Sequence, residues 1–80
     1  MKHARPDYDR FQDPENKIGE DEPVMLFRAQ DAHFIKVLQY YTDRLELTGN
    51  LKMAEVVSDH ILEAKNWRAN PKNNIKEPDL

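Results

Sequence analysis

The sequence predicts a mainly α protein. It reads as an antiparallel helical hairpin over about 31–48 and 51–68, preceded by an extended arm and a short strand-like segment, and assembled as a homo-oligomer. Two apolar stripes at helical spacing, a Gly49-Asn50 break between them and a chain of only 80 residues carry that reading.

The arm comes first. Residues 1–23 hold Pro6, Pro14, Pro23 and Gly19 and few aliphatic side chains. Four basic residues (Lys2, Arg5, Arg10, Lys17) face seven acidic ones (Asp7, Asp9, Asp13, Glu15, Glu20, Asp21, Glu22), so the whole formal charge of −3 sits here. A segment this polar either stays unordered or lies across another surface. Asp13-Pro14-Glu15-Asn16 has the composition of a turn with proline at its second position.

The second zone, 24–68, holds nearly all the apolar content. Val24–Phe27 is a short apolar run after Pro23, and an extended segment ending near Arg28 suits it. Asp31 is placed to cap the first helix with its carboxylate. Phe34, Val37, Leu38, Tyr41 and Leu45 then form one helical stripe. Gly49 suits a left-handed residue that closes this helix, and Asn50 can cap the next. Met53, Val57, His60, Ile61, Ala64 and Trp67 form the second stripe, and Pro71 ends that helix by about Asn70. Residues 69–80 form a polar tail, expected to lack regular structure except where Ile75 or Leu80 docks.

Length turns this layout into an expectation about assembly. Helices of roughly 17 residues are about 25 Å long, and a single hairpin of them encloses little interior. Ile35, Tyr40, Leu47, Val56 and Leu62 are apolar yet lie off the main stripes. Either the arm and Val24–Phe27 cover them or a second copy does.

Composition excludes several chemistries. With no cysteine there is neither a disulfide framework nor a cysteine zinc site. No apolar run is long enough for a transmembrane span or reads as a signal peptide. General DNA binding does not suit an acidic chain. His33 and His60 lack a partner in a recognised ligand motif, so no metal is expected. Ser58-Asp59-His60 is contiguous, and helical neighbours point about 100° apart, which forbids a triad. Glu55, Asp59 and Glu63 read as a solvated acidic stripe. No catalytic residue and no cofactor are expected, and the chain is not read as an enzyme.

One set of residues does suggest ligand chemistry. Tyr8, Arg10 and Phe11 interleave cation and aromatic faces, and Arg28, Gln30 and Asp31 lie where the first helix should begin. Arg10 and Arg28 can fork onto phosphate, Tyr8 and Phe11 can stack on a base, and Gln30 and Asp31 can meet polar edges. Arg5 and Lys17 are further candidates. The same arginines can instead pair with the arm's own acids.

The block Tyr8-Asp9-Arg10-Phe11-Gln12-Asp13-Pro14, then Ile18, then Asp21 through Asp31, resembles a group of small phage and prophage proteins. The likeness covers roughly residues 4–31, with a looser match through the helices and Pro78-Asp79-Leu80. By analogy with oligomeric phage counter-defence proteins of this size, it implies a non-catalytic sponge in the host bacterial cytoplasm. Such a sponge sequesters a small anionic immune signal of the cyclic nucleotide type, as in CBASS and Thoeris immunity. The alternatives are an interaction module that inhibits a host protein through its acidic arm or a helix face, and a structural phage component. Neither a membrane nor DNA is an expected partner.

Overall fold

The computed structural model describes residues 13–78 together with the backbone of Lys2 and His3. Its elements in chain order are β1 (Lys2–His3), β2 (Pro23–Val24), α1 (Phe34–Leu47) and α2 (Leu51–Arg68). β1 and β2 pair in parallel, Lys2 beside Pro23 and His3 beside Val24. The strand-like segment is thus only two residues long, and residues 25–28 carry no regular structure rather than continuing it to Arg28.

Local sequence chemistry explains the two sharpest features. In the Asp13–Asn16 turn the Asn16 N–H donates to the Asp13 carbonyl at 3.0 Å. Both Asp13 carboxylate oxygens then accept backbone N–H groups, from Lys17 at 3.0 Å and Ile18 at 2.9 Å, so the side chain finishes the turn its backbone begins. At the hairpin bend Gly49 adopts φ +80°. The Gly49 N–H donates to Glu46 O and the Asn50 N–H to Leu45 O, the paired bonds that satisfy the last carbonyls of a helix. Asn50 then caps α2, its Oδ1 accepting from the Met53 N–H at 3.2 Å.

A Cβ at Gly49 would meet no atom within 4 Å, so the requirement is conformational and not steric. Gly49→Ala is expected to lower stability by about 1–2 kcal/mol through the left-handed backbone alone. A d-alanine at the same position should restore it, and thermal melts of the two variants check the pair.

α1 begins three residues later than the sequence suggests. Its N-cap is His33, which makes no side-chain cap bond. Asp31 does not cap the helix; its Oδ1 accepts from the His33 N–H at 2.8 Å, tightening a turn one step ahead. Residues 29–33 are held in turns instead of helix, for reasons that lie elsewhere in the chain.

The two helices pack along a narrow seam. Leu45, Ala54, Val57 and Ile61 form its centre, with Ile35 and Leu38 against it and Phe34 and Ala64 buried beyond. Thr42 is buried as well, its hydroxyl donating to the Leu38 carbonyl at 2.9 Å. Among the described residues no large side chain is fully enclosed. The seam is rotated from the expected stripes: Val37, Tyr41, Met53, His60 and Trp67 stay exposed, while Thr42 and Ala54 turn inward. A two-helix contact covers about one residue's width on each helix, and these stripes are wider than that.

Candidate functional site

Two regions of the surface invite a functional reading: the junction where α1 begins, and the broad face of the hairpin that the seam leaves open.

The junction is built by residues far apart in sequence. Arg68, the last residue of α2, is half-buried and reaches back across the bundle. Its Nε donates to the Ala29 carbonyl at 3.1 Å and its Nη2 to the Asp31 carbonyl at 2.6 Å. The tail closes the other side. The Lys76 N–H donates to Gln30 O and the Ala32 N–H to Lys76 O, both at 2.8 Å. Asn73 anchors the start of the tail, its Nδ2 donating to the Trp67 carbonyl at 2.8 Å. The tail therefore docks through Lys76 and its neighbours; Ile75 stays exposed, and Leu80 lies outside the described residues.

Glu77 completes the clasp. Its Oε2 lies 2.7 Å from His33 Nε2, with both side chains largely exposed. That hydrogen bond, and then the charge of Glu77, raise the His33 pKa above its ordinary 6.5, against a small opposing effect of desolvation, with Asp31 adding to the rise. Because the folded-state pKa is the higher one, the contact is fully present below about 6.5 and is lost as pH rises through the raised value. Glu77→Gln is expected to bring the His33 pKa, followed by NMR, back towards 6.5 and to leave the helices unchanged. Two carboxylates, Asp31 and Glu77, thus stand at the start of α1, where an acidic group complements the helix dipole.

The ligand candidates can now be placed. Arg5, Tyr8, Arg10 and Phe11 lie outside the described residues. Lys17 is exposed, with its Nζ 2.7 Å from Glu15 on the same turn. Arg28 is exposed ahead of the junction, its carbonyl accepting from the Asp31 N–H at 2.9 Å. Gln30 and Asp31 are half-buried, Gln30 bound to the tail through its carbonyl and Asp31 holding its own turn. The structure brings Arg28, Gln30 and Asp31 into one loop and places Lys17 on a separate turn. Arg68, Lys76 and Glu77 complete this loop, and no local signal marks them, since Arg68 lies 37 and 39 residues from the carbonyls it holds.

The two broad faces of the hairpin differ. On one, Gln39, Thr42, Asp43, Ser58 and Ile61 line a shallow, open cleft of about 200 Å³. On the other, the Phe34 and His60 rings meet at a centroid distance of 6.2 Å, and His60 Nδ1 sits 3.3 Å from Glu63. Ser58 and His60 therefore belong to opposite faces. Among the described residues no three potential ligands gather to hold a metal ion, and no helix is long and apolar enough to cross a membrane.

The Phe34–His60 face is the apolar one. Helical geometry puts Val37, Tyr40 and Tyr41 on its α1 half and Met53, Val56 and Trp67 on its α2 half. All six are exposed, Tyr40 by 68% and Val56 by 58%. Comparison with protein-family models, with curated proteins and with solved structures finds no match to this chain.

Proposed function

We propose that this protein acts by binding and not by chemistry, as a helical-hairpin interaction module that presents its Phe34–His60 face to another polypeptide. The observation that carries this reading is the continuous exposure of Val37, Tyr40, Tyr41, Met53, Val56 and Trp67 along one side of a hairpin whose own seam is narrow. Apolar surface of that extent is stabilised by being covered. A photo-crosslinking side chain at Tyr40 tests it against the same group at Gln39 on the cleft face. Adducts of one defined mass from position 40 alone are expected; equal or absent crosslinking at both positions contradicts the module.

A second reading keeps the anionic signal as the ligand. It is favoured by Arg28, exposed at the loop that leads into α1, in a chain whose arm adds Arg5, Arg10, Tyr8 and Phe11. The Asp31 and Glu77 carboxylates beside that loop oppose an anion there. Purified protein exposed to a nucleotide pool and then denatured should release an intact cyclic nucleotide on this reading, and Arg28→Ala should abolish the capture. Release of none, or capture unchanged by Arg28→Ala, contradicts it.

A further inference from the structure

We infer that the occupant of the Phe34–His60 face is a second copy of this chain, the two hairpins closing into an antiparallel four-helix bundle. The inference rests on the docking-module reading and names its partner.

A helix that touches one neighbour needs one seam of side chains alternating three and four residues apart. A helix in a four-helix bundle carries two adjacent seams, one for each neighbour. Both helices here carry two. In α2 the packed seam runs Ala54, Val57, Ile61, Ala64, Arg68. One residue round the helix runs Met53, Val56, His60, Glu63, Trp67, with the same spacing and no partner helix among the described residues. In α1 the packed positions are Phe34, Leu38, Thr42 and Leu45, and the parallel set is Val37, Tyr40, Arg44 and Leu47. Both second seams fall on the same side of the hairpin, so they form a single face.

Area and charge favour a copy of the chain as the partner. The six apolar side chains of this face are each 39–68% exposed, and covering them on both copies supplies the desolvated aromatic and aliphatic centre on which stable interfaces of about 800 Å² per partner are built. Within and beside the face α1 carries Arg44 and Lys36 and α2 carries Glu63 and Asp59, with Lys52 nearer the bend. A two-fold axis along the helices lays α1 of one copy over α2 of the other, which brings Lys36 level with the other copy's Asp59 and Glu63, while Arg44 and Lys52 lie level with each other next to the bend.

Sedimentation equilibrium on the full chain tests the pairing with two matched variants. Val56 and Leu62 are equally exposed, 58% and 59%, but lie on different flanks of α2. The unmodified chain and Leu62→Asp are expected to sediment as two copies of the 9.5 kDa chain, and Val56→Asp as one, with helicity by circular dichroism kept in all three. A folded monomer for the unmodified chain overturns self-pairing, as does an equal response to the two substitutions. Should the unmodified chain be a monomer that still crosslinks through position 40, self-pairing fails while the docking reading stands.

Discussion

Replacing Ile61 with alanine is expected to lower stability by about 2–5 kcal/mol, the range for deleting a buried aliphatic side chain. Ile61 sits in the hydrophobic cluster between α1 and α2, with Leu45, Ala54 and Val57. The alanines at 54 and 64 bring the backbones together and leave Ile61, Val57 and Leu45 to supply most of the aliphatic contact. A core this small rarely supplies more than about 3–5 kcal/mol in total, so one such loss uses most of the margin. Far-UV circular dichroism under dilute conditions should show Ile61→Ala largely unfolded at a temperature where the unmodified chain is folded. Ile61→Val should lose only about 1 kcal/mol. An unchanged melting curve for Ile61→Ala would place the core elsewhere.

The second large effect is expected at Arg68. Its two hydrogen bonds to Ala29 O and Asp31 O are charge-assisted and half-buried, and Arg68→Ala should remove about 2–3 kcal/mol of local stability. The loss falls on the junction and not on the seam. The Ala32 and Lys76 amides, which bond across the clasp, should lose their hydrogen-exchange protection while amides in the middle of α2 keep theirs. Arg68→Lys retains the charge but not the fork that spans two carbonyls, so it should recover only part of the protection. Equal deprotection throughout both helices would instead mean that Arg68 supports the whole fold.

Those two residues also mark how far the sequence could be read. The bend was legible because Gly49 and Asn50 act on their immediate neighbours: one supplies the positive φ, the other the cap. The Asp13 turn was legible for the same reason. The start of α1 was not, since residues 29–33 are fixed by Arg68 and Lys76, and no local pattern announces a contact across 37 residues or more. The packed seam was legible only as a broad stripe. Hydropathy favours Val37 and Tyr41 over Thr42, yet Thr42 is the residue inside, because its hydroxyl bonds within its own helix and carries no unmet polar group into the seam.

For the candidate site, the arm chemistry at Arg5, Tyr8, Arg10 and Phe11 lies outside the described residues. Asp31 was legible as a residue that caps something; its use one turn ahead of the helix was not. Tyr40, Leu47 and Val56 stood out in the sequence as apolar residues off the main stripes, and their common face becomes visible only once Phe34 meets His60.

Trp67 is the single tryptophan, and it lies on the open face, 39% exposed in one chain. Its fluorescence therefore reports directly on whether that face is covered. Acrylamide quenching of the unmodified chain at high concentration, set beside Val56→Asp under the same conditions, is the measurement to make. A blue-shifted and weakly quenched Trp67 in the unmodified chain, turning red-shifted and readily quenched in the variant, is the predicted result. Identical spectra and identical quenching in the two would contradict it.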